Sequence, residues 1–194
     1  MTLKMPFSHW IHFMEGVLMK KILIIHTGGT ISMMEDEATG AVKPDEKNPL
    51  HVSTPLLKTL ADVHVEELFH LPSPHITPRE MLILRNKIEE KIKTDGFEGI
   101  VITHGTDTLE ETAYFLDLTV QVNVPIVVTG AMRSSNEVGA DGLYNLISSV
   151  KVASSDQAKE KGVLVVLNDE IHTAKNVTKT HTSNVLNTHL KRNN

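Results

Sequence analysis

Gly99-Ile100-Val101-Ile102-Thr103-His104-Gly105-Thr106-Asp107-Thr108-Leu109-Glu110-Glu111-Thr112 is the stretch whose reading decides the fold. Ile100 to Ile102 is a short, apolar, β-branched run, which suits a strand buried on both faces of a parallel sheet. Gly105 breaks the run, two hydroxyls and a carboxylate follow, and a helical pattern then begins. Polar groups at the carboxyl end of a buried parallel strand, just ahead of a helix N-terminus, stand where open α/β sheets hold ligands. Taken alone, Asp107 and Thr108 read equally well as helix caps. A second stretch repeats the arrangement: Lys21 to Ile31 reads as a buried strand ending in Thr27-Gly28-Gly29-Thr30.

The chain around these two stretches alternates strand and helix signals. Thr77, Pro78 and Glu80 form a capping box with proline at the first helical position. Met81, Leu84, Ile88 and Ile92 then follow at helical spacing, and Gly96 and Gly99 close the unit. A second helix is expected over Leu109 to Val120, with Leu109, Ala113, Leu116 and Val120 on one face. A third is expected from a cap at Asp141 to Ser154, with Leu143, Leu146, Ile147 and Val150 facing inward. Strands are expected at Lys21–His26, Val63–Phe69, Pro125–Thr129 and Val163–Leu167, with a short strand or hairpin arm within Ile171–Lys179. Leu56–Ala61 reads as a short helix. Thr27–Asn48 has no sustained period and is too long for a routine connection, so it reads as a functional or mobile loop. Helices between buried strands predict an α/β fold of three layers, a mostly parallel sheet with helices on both faces.

Composition narrows the function classes. A length of 194 residues favours one domain, or one plus a fragment. The net charge of −5 and the lack of any basic tract argue against nucleic-acid or anionic-membrane partners. With no cysteine, disulfides, thiolate metal sites and cysteine nucleophiles are excluded, and the absence fits a reducing, cytoplasmic compartment. No apolar run approaches the roughly 20 residues that span a bilayer. Residues 1–18 mix Trp10, Phe13, Val17 and Leu18 with Ser8, His9, His12 and Glu15, and read as an extension outside the domain.

The usual phosphate-cradling glycine signatures are missing. His26, His104 and His172 lack metal-ligand spacing and read as structural or surface residues, so no metal and no cofactor is expected. Hydroxyls dominate instead. Thr27 and Thr30 follow one buried strand, and Thr106 and Thr108 follow the other. A threonine hydroxyl attacks only when a neighbour takes its proton, and its β-branch helps aim the oxygen. Gly28-Gly29 lets the backbone approach a bound group, with N–H groups that can face an oxyanion. The plainer reading of Thr-Gly-Gly-Thr is a simple strand-to-loop turn.

Together the two stretches resemble the asparaginase/glutaminase family of amidohydrolases. Thr27-Gly28-Gly29-Thr30-Ile31 is similar to its first signature, and His104 to Thr112 to its second. Pro125 to Arg133, Ala140-Asp141-Gly142, Gly162 to Asp169 and Val177-Thr178-Lys179-Thr180 add to the match, which runs from about Lys20 to about Asn187. The resemblance implies that Thr30 is the nucleophile forming an acyl-enzyme with a side-chain amide. It implies that Thr106, Asp107 and Lys179 activate a hydroxyl or water and contact the substrate. It also implies that Ser73 holds the substrate carboxylate. Asp107 would match the ammonium of an amino-acid substrate. Lys179 is a base only when neutral, which burial favours and a nearby aspartate opposes. The substrate expected is L-asparagine, with L-glutamine poorer, and full-length family members are homo-oligomers.

The chain departs from the family pattern in three places. Its tyrosines are Tyr114 and Tyr144, so the loop after the first motif lacks the family's tyrosine. Pro74 stands where many members have glutamine. The expected organisation is an N-terminal α/β domain over residues 19–187, with residues 188–194 as a non-family tail where a second domain follows in relatives. A catalyst impaired by truncation, a non-catalytic fragment that keeps the fold, and an ammonia-supplying subunit of a tRNA-dependent amidotransferase are the competing readings. The last usually brings an extra N-terminal domain, for which Met1 to Leu18 is too short.

Overall fold

The computed structural model describes residues 19–35, 42–44, 50 and 54–179. The extension expected at residues 1–18, the tail at 188–194 and much of the loop after the first motif lie outside the described residues. The elements are β1 (Lys21–His26), β2 (Met33–Glu35), β3 (Val42–Pro44), α1 (Thr54–Leu57), β4 (Asp62–Glu67), α2 (Pro78–Asp95), β5 (Gly99–Thr103), α3 (Leu109–Thr119), β6 (Ile126–Thr129), α4 (Gly142–Ala153), β7 (Val163–Leu167) and β8 (Glu170–Thr173). Six strands form one sheet in the order β4-β1-β5-β6-β7-β8. All neighbours pair in parallel except β8, which returns antiparallel to β7.

β1, β5, β6 and β7 are apolar at successive positions because both faces of the sheet are covered there. On one face Leu23, Ile25, Ile100, Ile102 and Val128 pack with Leu84 and Ile88 of α2 and Leu109, Ala113 and Leu116 of α3. On the other, Ile22, Ile24, Val101, Val127 and Val166 pack with Leu57 of α1 and Leu146, Val150 and Ala153 of α4. The alternation of Ile22/Ile24 with Leu23/Ile25 is the two-residue period of a strand feeding two separate cores. This is the expected three-layer α/β architecture.

Helix signals match in detail at α2. Thr77 and Glu80 form the capping box, and Gly96 ends the helix in the left-handed region at φ 70°. Three expectations need correction. Asp141 stands at the start of α4, but its side chain makes no cap bond there. Leu143 is 40% exposed rather than inward. The buried stripe of α4 instead runs through Asn145, Leu146, Ser149 and Val150, and its polar members are invisible to a hydrophobicity pattern. The region after the first motif is also not simply loop, since β2 and β3 pair antiparallel. Three-residue strands are too short to leave a period in sequence. At the far edge, Asn168 and Asp169 hold φ of 51° and 65°, which makes the two-residue turn that folds β8 onto β7.

Candidate functional site

Parallel pairing of β1 with β5, His26 opposite Thr103, brings both glycine-threonine loops off the same edge of the sheet side by side. Thr27 ties the two strand ends together, its N–H and its hydroxyl both donating to the Thr103 carbonyl, at 3.1 and 2.8 Å. The loops then touch through backbone alone. A Cβ placed on Gly29 would lie 2.3 Å from both the Cα and the N of Gly105. Gly29 sits at φ 82°, ψ 175°, a region essentially reserved for glycine. Directly after it, Thr30 begins a 3-10 turn closed by the Ser32 N–H on the Gly29 carbonyl (2.9 Å).

Gly105 makes a second close approach, since a Cβ there would lie 2.6 Å from Ser73 Oγ. Ser73 is buried, and its hydroxyl accepts the Asp107 N–H at 3.3 Å, while its carbonyl accepts the Thr108 hydroxyl at 2.7 Å. Thr108 therefore spends its side chain on the neighbouring loop instead of capping α3. By accepting from Asp107, Ser73 keeps its own O–H proton available to donate.

Beneath the turn lies His104, fully buried. Its Nδ1 is 2.8 Å from the Gly105 carbonyl and its Nε2 is 2.9 Å from the Thr112 hydroxyl. A carbonyl only accepts, so Nδ1 carries the proton and Nε2 of the neutral ring accepts from Thr112. Burial pushes the ring's pKa down, which keeps it neutral. His26 is likewise buried, with Nδ1 2.6 Å from the Thr103 hydroxyl. Both histidines hold the strand ends, in line with the structural reading.

Lys179 arrives from beyond β8, after the turn at residues 174–176. Its Nζ donates to Thr106 Oγ1 at 3.0 Å and pairs with Asp107 Oδ1 at 2.7 Å. Three residues more than seventy positions apart at the extremes thus meet at one point. Asp107 keeps 63% of its side-chain surface exposed and Lys179 only 19%, so the aspartate faces outward while the lysine side chain sits behind it. Next to them opens a cleft with about 370 Å³ of empty space. Thr106, Glu110 and Lys179 line it with Met132, Leu167 and Asn168 from the ends of the next two strands.

The family model for the N-terminal part of asparaginase matches residues 21–188. The chain belongs to the asparaginase family. L-asparaginase 2 of Bacillus subtilis (strain 168) is 43% identical over 166 residues, covering 84% of this chain and 44% of that protein. Glutaminase-asparaginase of Acinetobacter glutaminasificans is 41% identical over 162 residues, 81% of this chain and 49% of that protein. The crystal structure of a probable cytoplasmic L-asparaginase from Campylobacter jejuni superposes with a TM-score of 0.83 at 39% identity. That superposition covers 90% of this chain and 54% of the other. The chain spans about half the length of the relatives it matches.

Within this asparaginase domain, the roles of some residues that hold the site were not read from sequence. Asp141 accepts the N–H groups of Met132 and Arg133 at 3.0–3.2 Å, fixing the loop after β6. Asn145 donates to the Gly130 carbonyl and to Asp141, and accepts the Asn168 N–H at 2.9 Å. It therefore ties the loops after β6 and β7, which form the far wall of the cleft. Glu110 accepts the Lys179 backbone N–H at 2.6 Å. For Asn145 the available signal was spacing, since it follows Asp141 by four residues, one helical turn.

Proposed function

We propose that this chain carries the nucleophile and its activating set for hydrolysis of a side-chain amide, that of L-asparagine, with L-glutamine a poorer substrate. The observation that carries the reading is Lys179 Nζ in contact with both Thr106 Oγ1 and Asp107 Oδ1. Relatives named asparaginase and glutaminase-asparaginase support the substrate class. In the proposed reaction Thr30 Oγ attacks the amide carbon, and backbone N–H groups of the glycine loop face the oxyanion. The proton leaving Thr30 passes through the Thr106 hydroxyl to Lys179 Nζ, which takes it as the neutral amine. The C–N bond breaks, its nitrogen takes up a proton and leaves as ammonia, and an ester remains on Thr30. Water activated by the same pair then hydrolyses the ester, releasing aspartate and restoring the threonine.

Asp107 is exposed enough to meet a substrate ammonium, and the Ser73 hydroxyl has a proton to donate to a substrate carboxylate. The organisation proposed is a domain over residues 19–187. Because the chain spans about half of its relatives, amino-acid binding without turnover is the competing reading. Ammonia release from L-asparagine by the purified chain decides between them. Thr30→Ala should abolish that release while leaving the thermal melt unchanged, and undiminished release would assign the nucleophile elsewhere.

A further inference from the structure

We infer that Glu110 is a positioning residue that sets where Lys179 Nζ stands, by gripping the lysine's main chain. This inference rests on the proposed role of Lys179. β8 ends at Thr173, and Lys179 lies six residues further along, beyond a turn held by the Asn176 and Val177 N–H groups on the Thr173 carbonyl. No long strand carries the lysine into place, so its location depends on individual contacts. One is the bond from its N–H to Glu110 Oε2, at 2.6 Å. Two more are made by Nζ itself, and Lys179 also takes part in an isolated β-bridge.

Glu110 is well placed for this because it is built on the same rigid unit as the groups that Nζ must reach. It lies in the first turn of α3, three residues after Asp107 and four after Thr106. The helix is anchored below by Leu109, Ala113 and Leu116 in the core. A carboxylate in the first turn also interacts favourably with the positive end of the helix and is a strong acceptor. One helix start therefore presents Thr106 and Asp107 to the head of Lys179 and Glu110 to its backbone. The lysine is fixed at both ends against a single frame. Next to it, Glu111 is exposed and carries the same charge without being positioned for this contact.

The test uses the full 194-residue chain and three variants, Glu110→Ala, Glu110→Gln and Glu111→Ala. Glutamine keeps an oxygen at the same reach, so it retains the acceptor while losing the charge. Displacing a catalytic group by about 1 Å reduces rate roughly 10²-fold. Glu110→Ala should therefore lower kcat for L-asparagine by about that factor with KM within about twofold, Glu110→Gln should recover most of the loss, and Glu111→Ala should match the parent. Hydrogen exchange at the Lys179 amide provides a readout independent of turnover. It should quicken about tenfold in Glu110→Ala and much less in Glu110→Gln, as expected for losing a bond to a charged acceptor. Should the parent chain release no ammonia, the proposed function fails, and the exchange rates alone decide the role of Glu110. Equal exchange in all four proteins overturns the inference. So does a Glu110→Gln variant as impaired as Glu110→Ala, since charge rather than the grip would then matter.

Discussion

Adding one methyl group at Gly29 should separate the two halves of the site. The Cβ of Gly29→Ala would sit 2.3 Å from the Cα and N of Gly105, against about 3.5–4.0 Å for carbon atoms in ordinary contact. One loop must retreat from the other by about 1.2–1.7 Å, the difference between those separations. The backbone at φ 82°, ψ 175° adds strain of about 1–3 kcal/mol for any residue with a side chain. Both obstacles are backbone, so no side chain can rotate away to relieve them. A displacement above 1 Å between Thr30 and Thr106 should lower the rate of ammonia release by about 10²-fold or more. Strain of about 1–3 kcal/mol should lower Tm by roughly 2–12 °C, at 2–4 °C per kcal/mol for a chain of this size. Gly96→Ala is the control, since Gly96 also has positive φ, 70°, but nothing within 4 Å of the added atom. It should lower Tm by only a few degrees and leave the rate unchanged. Ammonia release and thermal melts on the three proteins read both effects. A Gly29→Ala variant with parental rate and parental Tm would refute the claim that contact between the two loops builds the site.

Two further outcomes follow from the same geometry. Lys179→Ala removes the contacts to Thr106 and Asp107, and kcat should fall about 10²–10³-fold, whereas Tm should fall by only a few degrees because Asp107, the other half of the pair, is largely exposed; steady-state kinetics with a parallel melt check both. Burial lowers the pKa of His104 in the folded chain, so the unfolded chain binds the proton more readily. The resulting stability is fully present above the unfolded value of about 6.5 and is lost as pH falls below it. Urea titrations between pH 7.5 and 5 should show that decline, and His104→Asn should flatten it.

Much of the fold was legible because buried parallel strands are the strongest simple signal a sequence carries. Ile22–Ile25, Ile100–Ile102 and Val163–Leu167 are apolar throughout since both faces of the sheet are covered. The α2 boundaries were legible to the residue because Thr77, Glu80 and Gly96 are local devices that act within one turn. What stayed hidden was buried but polar. Asn145 and Ser149 occupy the inward stripe of α4 because Asn145 satisfies three groups on two loops and Ser149 bonds back to the Asn145 carbonyl. A pattern that sorts residues by hydrophobicity turns that helix by nearly a position and puts Leu143 inside. Asp141 misled for a related reason, since a carboxylate ahead of a helix looks like a cap whether it serves the helix or the loop before it.

At the site, the residues proposed to carry the chemistry and the residues that place them leave different traces. Thr30, Thr106, Asp107 and Lys179 stand in motifs that could be read outright, yet none of those motifs says which loops touch. The contact depends on positions where a side chain is missing. Gly29 lies against Gly105, and Gly105 lies against Ser73, so three loops from β1, β4 and β5 converge where no Cβ intervenes. Ser73 then turns this packing into register, its hydroxyl taking the Asp107 N–H and its carbonyl the Thr108 hydroxyl. A glycine in sequence announces only freedom, while the structure uses it here for proximity. The two kinds of residue should therefore fail differently. Thr30→Ala removes a hydroxyl and a methyl from an unmoved frame, so rate should fall with stability intact. Gly29→Ala adds one carbon to the frame itself, so rate and stability should fall together.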